Sequence, residues 1–276
     1  GYTVPAPLSS ELINLLDNYG LARNACKRVI MGAMTWSVPK LSSSSTVYYP
    51  AESASVTESA LAFSQVTLTA QKMASLVKMS TEIGEDSLIS MADTIVSDIA
   101  WSFSKAEDDN LFLGGTLYSG GIEGDSSVKT DTEVASVGAI TLANLTAVAA
   151  GAGNERGLNH EWYFHPTVWN STVRDLLNAA GGSASDHLTA GVKPTLFGYP
   201  VNLANALNTS AASTSEDLLA VFGDLSVSHY FGDRRDLSFK VLNELFAVND
   251  QVGIVATQRV DIASVNPEVL SIMTIA

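Results

Sequence analysis

The chain has 276 residues, 46% of them apolar, with 29 acidic against 15 basic side chains and a formal charge of −14. That length suits one large domain or two modest ones. The charge balance argues against a surface built to neutralise phosphate or an anionic membrane, since either needs clustered Lys and Arg, and "DRRD" at 233–236 carries its own counter-charges.

The opening "GYTVPAPLSS" has no basic region followed by an apolar one, so no signal peptide is expected. It also lacks methionine; a cloning artefact, trimmed numbering or proteolytic removal of a leading segment each account for that. After Pro5 and Pro7 a short amphipathic helix is predicted from Ser9 or Ser10. Leu12, Ile13, Leu15 and Leu16 form its apolar side and Gly20 ends it. Cys26 is the only cysteine, which excludes an intrachain disulfide and a multi-cysteine metal site. Among apolar neighbours it reads as a small buried hydrophobe. An extended segment follows through Met34, Trp36 and Val38.

Residues 42–60, "SSSSTVYYPAESASVTESA", are polar and serine-rich. "WSVPKL" before them and "LAFSQVTLTA" after them alternate apolar and polar, as strands do. Two strands bracketing a polar segment predict a long hairpin arm, which cannot bury itself and must lie on something else. Composition alone also fits a disordered surface loop. Val66, Leu68 and Ala70 share one strand phase while Val77 and Met79 take the other, so a bulge or bend is expected near Gln71–Met73.

The period then changes. Ala92, Ile95, Val96, Ile99, Phe103 and Ala106 fall three and four apart, which predicts a helix from about Ser90 to Leu113. Ser90 and Asp93 offer a capped start. Two more helices are predicted, in "TLANLTAVAAGAG" and "HPTVWNSTVRDLLNAAGG", the second with Pro166 in its first turn and Gly181–Gly182 past its end. Strands are expected at "EWYFH", "PVNLA", "LLAVFGD", "LSFKVLNELFAV" and "QVGIVATQRV". The last two read as one long hairpin turning at Asn249–Asp250. No apolar run is long enough to cross a membrane as a helix.

Chemistry is thin. "KAEDDNLFLGGTLYSGGIEG" holds three consecutive acids, Glu107, Asp108 and Asp109, ahead of two glycine pairs. Gly115 and Gly120 have the gap of a Walker loop, but Gly121 stands where its lysine belongs. Consecutive acids point around a helix rather than converging on a cation. The stretch reads instead as a solvated helix end followed by glycines that permit a positive φ. His160 and His165 point to opposite faces of a strand, His187 lies in a polar loop and His229 beside Tyr230, so none forms a metal pair. "GGSAS" fails the nucleophile-elbow pattern at Ser185. Trp36, Trp101, Trp162 and Trp169 sit in periodic apolar segments and read as core. Catalytic, cofactor-binding and metal residues are all expected to be absent.

The order of features carries more information. "VTLTAQKMASLVKMSTEIGEDS", "AEDDNLFLGG", "WYFHPTVWNSTVRDLLNAAGG", "TLFGYPVNLANAL", "VFGDLS" and "QRVDIASVNPEVLSIM" follow one another as in the major capsid proteins of tailed bacteriophages with the Hong Kong 97 fold. The resemblance covers nearly the whole chain. It implies an α+β fold with an N-terminal arm at 1–35, an extended loop at 36–70, a peripheral domain at 71–125 and 237–276 containing a spine helix, and an axial domain at 126–236. It also implies a mature head protein that self-assembles into an icosahedral shell of hexamers and pentamers around double-stranded DNA. The partners would be other copies, a portal, a scaffold and a decoration protein, with no specific nucleic-acid binding, no membrane and no cofactor. The site would be the virion, assembled in the host bacterial cytoplasm. Tyr48, Tyr49, Glu52, Glu58, Lys72, Arg23 and Arg28 would touch neighbouring subunits. Gly1 would then be a mature end left by a maturation protease, or a product made beside a separate scaffold. Some family members join a loop lysine to a neighbour's asparagine; residues 42–60 contain no lysine, so no cross-link is expected. An encapsulin-type shell shares the fold and is the nearest alternative; a hydrolase with an unseen site is the alternative from another class.

Overall fold

A computed structural model describes residues 19–53, 55, 58–80, 91–128, 130–152, 158–180, 193–208, 217–242 and 244–275. The helix expected from Ser9 or Ser10, the cap at Ser90, His187 and Ser185 lie outside them. The fold is α+β, as the sequence implied.

Helix α1 (Leu21–Ala25) and strand β1 (Lys27–Ile30) open the described chain. Gly20, at φ 105, is the N-cap of α1. Strands β2 (Thr35–Ser43) and β3 (Ala62–Thr69) then pair antiparallel, from Thr35 opposite Thr69 out to Ser43 opposite Ala62. This is the expected hairpin arm, and it forms a two-stranded ribbon of its own. The strand breaks at Ala70, next to the expected bend, and β4 (Gln71–Ser80) joins a different sheet. The break accounts for the phase change: Leu68 and Ala70 are buried on one side, and Val77 and Met79 turn inward on the other.

Helix α2 (Met91–Phe112) is the long element the period predicted. Its Ile99 and Phe103 pack on Ile254 and Ala256 of a four-stranded sheet. That sheet has the order β1-β10-β11-β4, where β10 is His229–Leu242 and β11 is Gln251–Ser264. The hairpin between the last two strands is shorter than the sequence suggested. Strand β10 ends at Leu242, and the connection carries a 3₁₀ turn at Ala247–Asn249 with Asp250 at φ 49. The cause is Phe246, whose ring lies over Gly253, where a Cβ would come within 2.6 Å of it, and under the Lys78 ammonium at 4.4 Å. Folding that ring back takes the chain off the ladder.

The second sheet has six strands. These are β5 (Thr130–Val134), β6 (Glu161–Phe164), β7 (Thr195–Leu196), β8 (Tyr199–Leu203), β9 (Leu218–Gly223) and β12 (Leu270–Ile275), in the order β5-β12-β9-β6-β8-β7. Its central strands are buried on both faces and so feed two cores. Tyr163 of β6 enters one with Phe112, Phe231 and Val260, while Trp162 and Phe164 enter the other with Trp169, Phe222 and Met273. Helix α3 (Leu142–Gly151) covers the second core behind a capping box of Thr141 and Asn144. The other predicted helix runs as Pro166–Val168, a π-helical turn at Trp169–Val173, and Arg174–Ala179. The closing strand β12 is hydrogen-bonded in this sheet, between β5 and β9.

Candidate assembly site

The three acids do not form a solvated helix end. Glu107 and Asp108 are each 1% exposed. Ile99, Phe103, Glu107 and Leu111 recur every fourth residue, so Glu107 stands on the apolar stripe of α2 itself. Its neighbour Asp108 accepts the backbone N–H groups of Gly20, Leu21 and Ala22 at 2.7, 3.1 and 2.8 Å. One carboxylate thus satisfies the donors at the start of α1. Burial nevertheless pushes the Asp108 carboxyl above its ordinary range, with Glu107 adding to the rise and the three N–H bonds opposing it.

Glu107 binds Arg23 through a two-pronged pair, Nε to Oε2 at 2.6 Å and Nη2 to Oε1 at 2.7 Å. The buried Gln258 side chain of β11 also donates to Glu107. The Glu107 hydrogen bond and charge hold the Arg23 guanidinium above its ordinary value against the opposing effect of burial. Arg23 also lies over the Phe231 ring at 5.0 Å and reaches Asp233 at 3.3 Å. Arg28 of β1 binds Asp233 at 2.5 Å and Asp236 at 2.9 Å. The network ties α1 and β1 to the end of α2 and to β10 and β11. Arg23 and Arg28, expected at subunit contacts, are both engaged within their own chain.

Beyond Phe112 the backbone doubles back. Gly114 and Gly121 adopt φ 91 and 61, and a Cβ on Gly114 would stand 2.5 Å from Gly120 and Gly121 backbone atoms. The positive-φ reading of these glycines holds.

The segment joining the two strands of the ribbon is exposed. Tyr48, Tyr49, Glu52 and Glu58 are exposed, Tyr49 by 94%, and Val47 and Phe63 by 73% and 70%. Lys72 is exposed on β4, while Lys40 is half-buried on β2 opposite Ser64.

No group of three His, Cys, Asp or Glu side chains placed to hold a metal occurs among the described residues. His160 stacks on Phe222 at 5.2 Å, whereas His165 Nδ1 accepts the Thr167 N–H at 3.0 Å, so the two do not converge. Trp162 and Trp169 are core, as expected, and Cys26 is buried with its thiol pushed up by desolvation.

The family model for the phage capsid family matches residues 1–275. The chain belongs to the phage capsid family. No curated protein matches the sequence. The capsid protein is similar in fold to the capsid of a native GTA particle, at TM-score 0.80 and 20% identity, covering 100% of this chain and 96% of that one. A structure from Microbacterium phage Oxtober96 gives TM-score 0.72 at 16% identity, covering 99% and 96%. One from Mycobacterium phage Bobi gives 0.74 at 16% identity, again covering 99% and 96%. The capsid protein is therefore a structural, non-enzymatic component of a virion shell that forms by self-assembly. Neither an encapsulin-type compartment nor a hydrolase is favoured.

Proposed function

We propose that the capsid protein assembles in the host bacterial cytoplasm into a closed icosahedral shell of hexamers and pentamers around double-stranded DNA. A portal, a scaffold and a decoration protein are its further partners. The observation that carries this reading is the ribbon, which holds Val47, Tyr49, Leu61 and Phe63 more than half exposed. A two-stranded ribbon is marginal in water by itself. Burying each such side chain on a neighbour contributes about 1.5–3 kcal/mol. Tyr48, Tyr49, Glu52 and Glu58 are proposed as its contact residues. The tip of the β10–β11 hairpin, with Leu245 and Val248 exposed by 68% and 96%, is a second contact.

In this reading residues 1–35 are the arm, 36–70 the extended loop and 126–236 the axial domain. The peripheral domain takes 71–125 and the β10–β11 hairpin from 237. The pairing of β12 supports moving residues 270–275 to the axial side. Negative-stain microscopy of purified protein under assembly conditions tests the shell; a persistent monodisperse monomer counts against it. Replacing residues 44–60 by a short turn is expected to leave the subunit's thermal transition in place and to prevent assembly. A collapsed transition would contradict that.

The shell is further expected not to be cross-linked. Residues 42–60 contain no lysine; Lys72 lies on β4, outside the ribbon, and Lys40, toward the ribbon's outer end rather than at its base, is half-buried on β2 opposite Ser64. Asn249 and Asn266 near the closing hairpin have no loop amine to meet. Boiling particles in detergent should give one gel band near 29.1 kDa. A ladder of multimers that survives reductant would overturn it.

A further inference from the structure

The ribbon joins the body of the subunit through a narrow root. β11 pairs with β4 only as far as Val260 opposite Gln71, and beyond that point it pairs with β10 alone. There the side chain of the next residue, Asp261, takes the place of the ladder: its Oδ2 accepts the N–H of Thr69, the last residue of β3, at 2.6 Å. A backbone bond from the Ala70 N–H to the Met34 carbonyl, at 2.9 Å, closes the root across the ribbon. The packing beneath is a small core of Met31, Leu68, Ala70 and Ala263, separate from the two large ones.

A carboxylate is a costly group to hold there. Asp261 is directly opposite Gly232 of β10, and a Cβ on Gly232 would come within 2.6 Å of Met31 Sδ and 2.8 Å of Leu68 Cδ2. Residues directly opposite share a face, so these apolar groups lie on the carboxylate's side of the sheet, and Asp261 is only 7% exposed. The other charged or titratable groups on that face are Arg259 on β11, Lys72 and Arg235 across from it, and Tyr230 with Lys27 toward the start of β10. Asp233, opposite Val260, belongs to the other face and binds Arg28. Among the described residues no cation forms an ion pair with Asp261. A buried carboxylate without a cation gains hydration whenever the structure around it opens.

We propose that Asp261 is a proton-sensitive latch at the root of the ribbon: protonated, it holds the ribbon at the angle seen here, and ionised, it lets the root open and the ribbon swing. The hinge is the break at Ala70, where the chain passes from the ribbon to β4. Burial raises the Asp261 carboxyl from 3.8 to about 6, opposed by the N–H groups of Thr69 and Ile262. An open root places the group in water and returns it to its ordinary range. Proton binding therefore favours the closed root. Raising the pH from 5 to 7 makes opening about tenfold more frequent, and above that range the effect is complete. The latch belongs to the isolated subunit, so its failure and that of the shell reading are observed separately.

Amide hydrogen exchange on disassembled subunits tests it. Protection of the Thr69 and Ala70 amides, corrected for the intrinsic pH dependence of exchange, should fall about tenfold between pH 5 and pH 7 in the parent, while protection of β12 should not fall. Asp261→Asn keeps an acceptor for the Thr69 N–H and cannot ionise, so its root should stay highly protected at both pH values. A carboxylate that served only as a fixed structural acceptor would give no pH profile. The proposal is overturned if root protection in the parent is the same at pH 5 and pH 7, or if Asp261→Asn shows the parent's profile. It is also overturned if β12 loses protection in step with the root, because the opening is then global. Should Asp261→Asn not fold, the comparison of root with β12 in the parent decides by itself.

Discussion

Replacing Arg23 with alanine is expected to destabilise the subunit by about 3–5 kcal/mol, the cost of leaving a buried carboxylate without its cation. Glu107 is 1% exposed and Arg23 is its only ion-pair partner among the described residues. Loss of the guanidinium leaves the Glu107 charge facing Gln258 alone, and Asp233 keeps only Arg28. For a chain of this size the unfolding midpoint should fall by roughly 10 °C. Arg23→Lys should recover only part, because an ammonium cannot reproduce the two parallel bonds at 2.6 and 2.7 Å. Adding Glu107→Gln to Arg23→Ala should also recover part, since the stranded charge is then gone while Gln258 keeps an acceptor. Calorimetry of disassembled subunits decides it. A midpoint for Arg23→Ala within about 2 °C of the parent would mean that the pair is not a structural clamp.

The clamp joins residues that no local sequence pattern connects. Period changes gave the ribbon, α2 and the break between β3 and β4, because burial alternates locally along a strand or helix. The sequence places Glu107 in solvent because charged side chains are usually solvated. The available signal was its place on the Ile99–Phe103–Leu111 stripe, where a carboxylate must be paired to be tolerated. Its partner lies 84 residues earlier in the chain, and no local pattern connects them. The strand register was hidden in the same way. Lys72, Arg235 and Arg259 are scattered through the sequence, and only the strand register sets them side by side. The end of β10 at Leu242 was missed because Leu245, Phe246 and Val248 continue an apolar pattern that the chain uses for a folded-back ring and an exposed tip.

Acid is expected to destabilise the subunit through His229. Its side chain is fully buried at the first position of β10, Nδ1 lies 2.7 Å from Ser228 Oγ, and the ring meets Tyr118 edge-on at 5.2 Å. Nε2 has no hydrogen-bond partner among the described residues. Desolvation lowers its pKa from the ordinary 6.5 to about 4, opposed by the charge of Asp125. The folded subunit therefore holds the imidazole neutral where the unfolded chain binds a proton. Stability from this group is intact above about pH 6.5 and is lost as pH falls toward 4, by about 3 kcal/mol in full. Asp261 acts in the opposite sense. Burial raises its carboxyl from 3.8 to about 6, so its protonation favours the folded state as pH falls through that range. The two are separated by comparing the parent with His229→Phe, in which the Asp261 contribution cancels. Denaturant unfolding from pH 7 to 4 should show the parent losing stability relative to the variant across this window. A difference between the two that stays constant over the whole range would show that His229 is not the group that makes the subunit acid-sensitive.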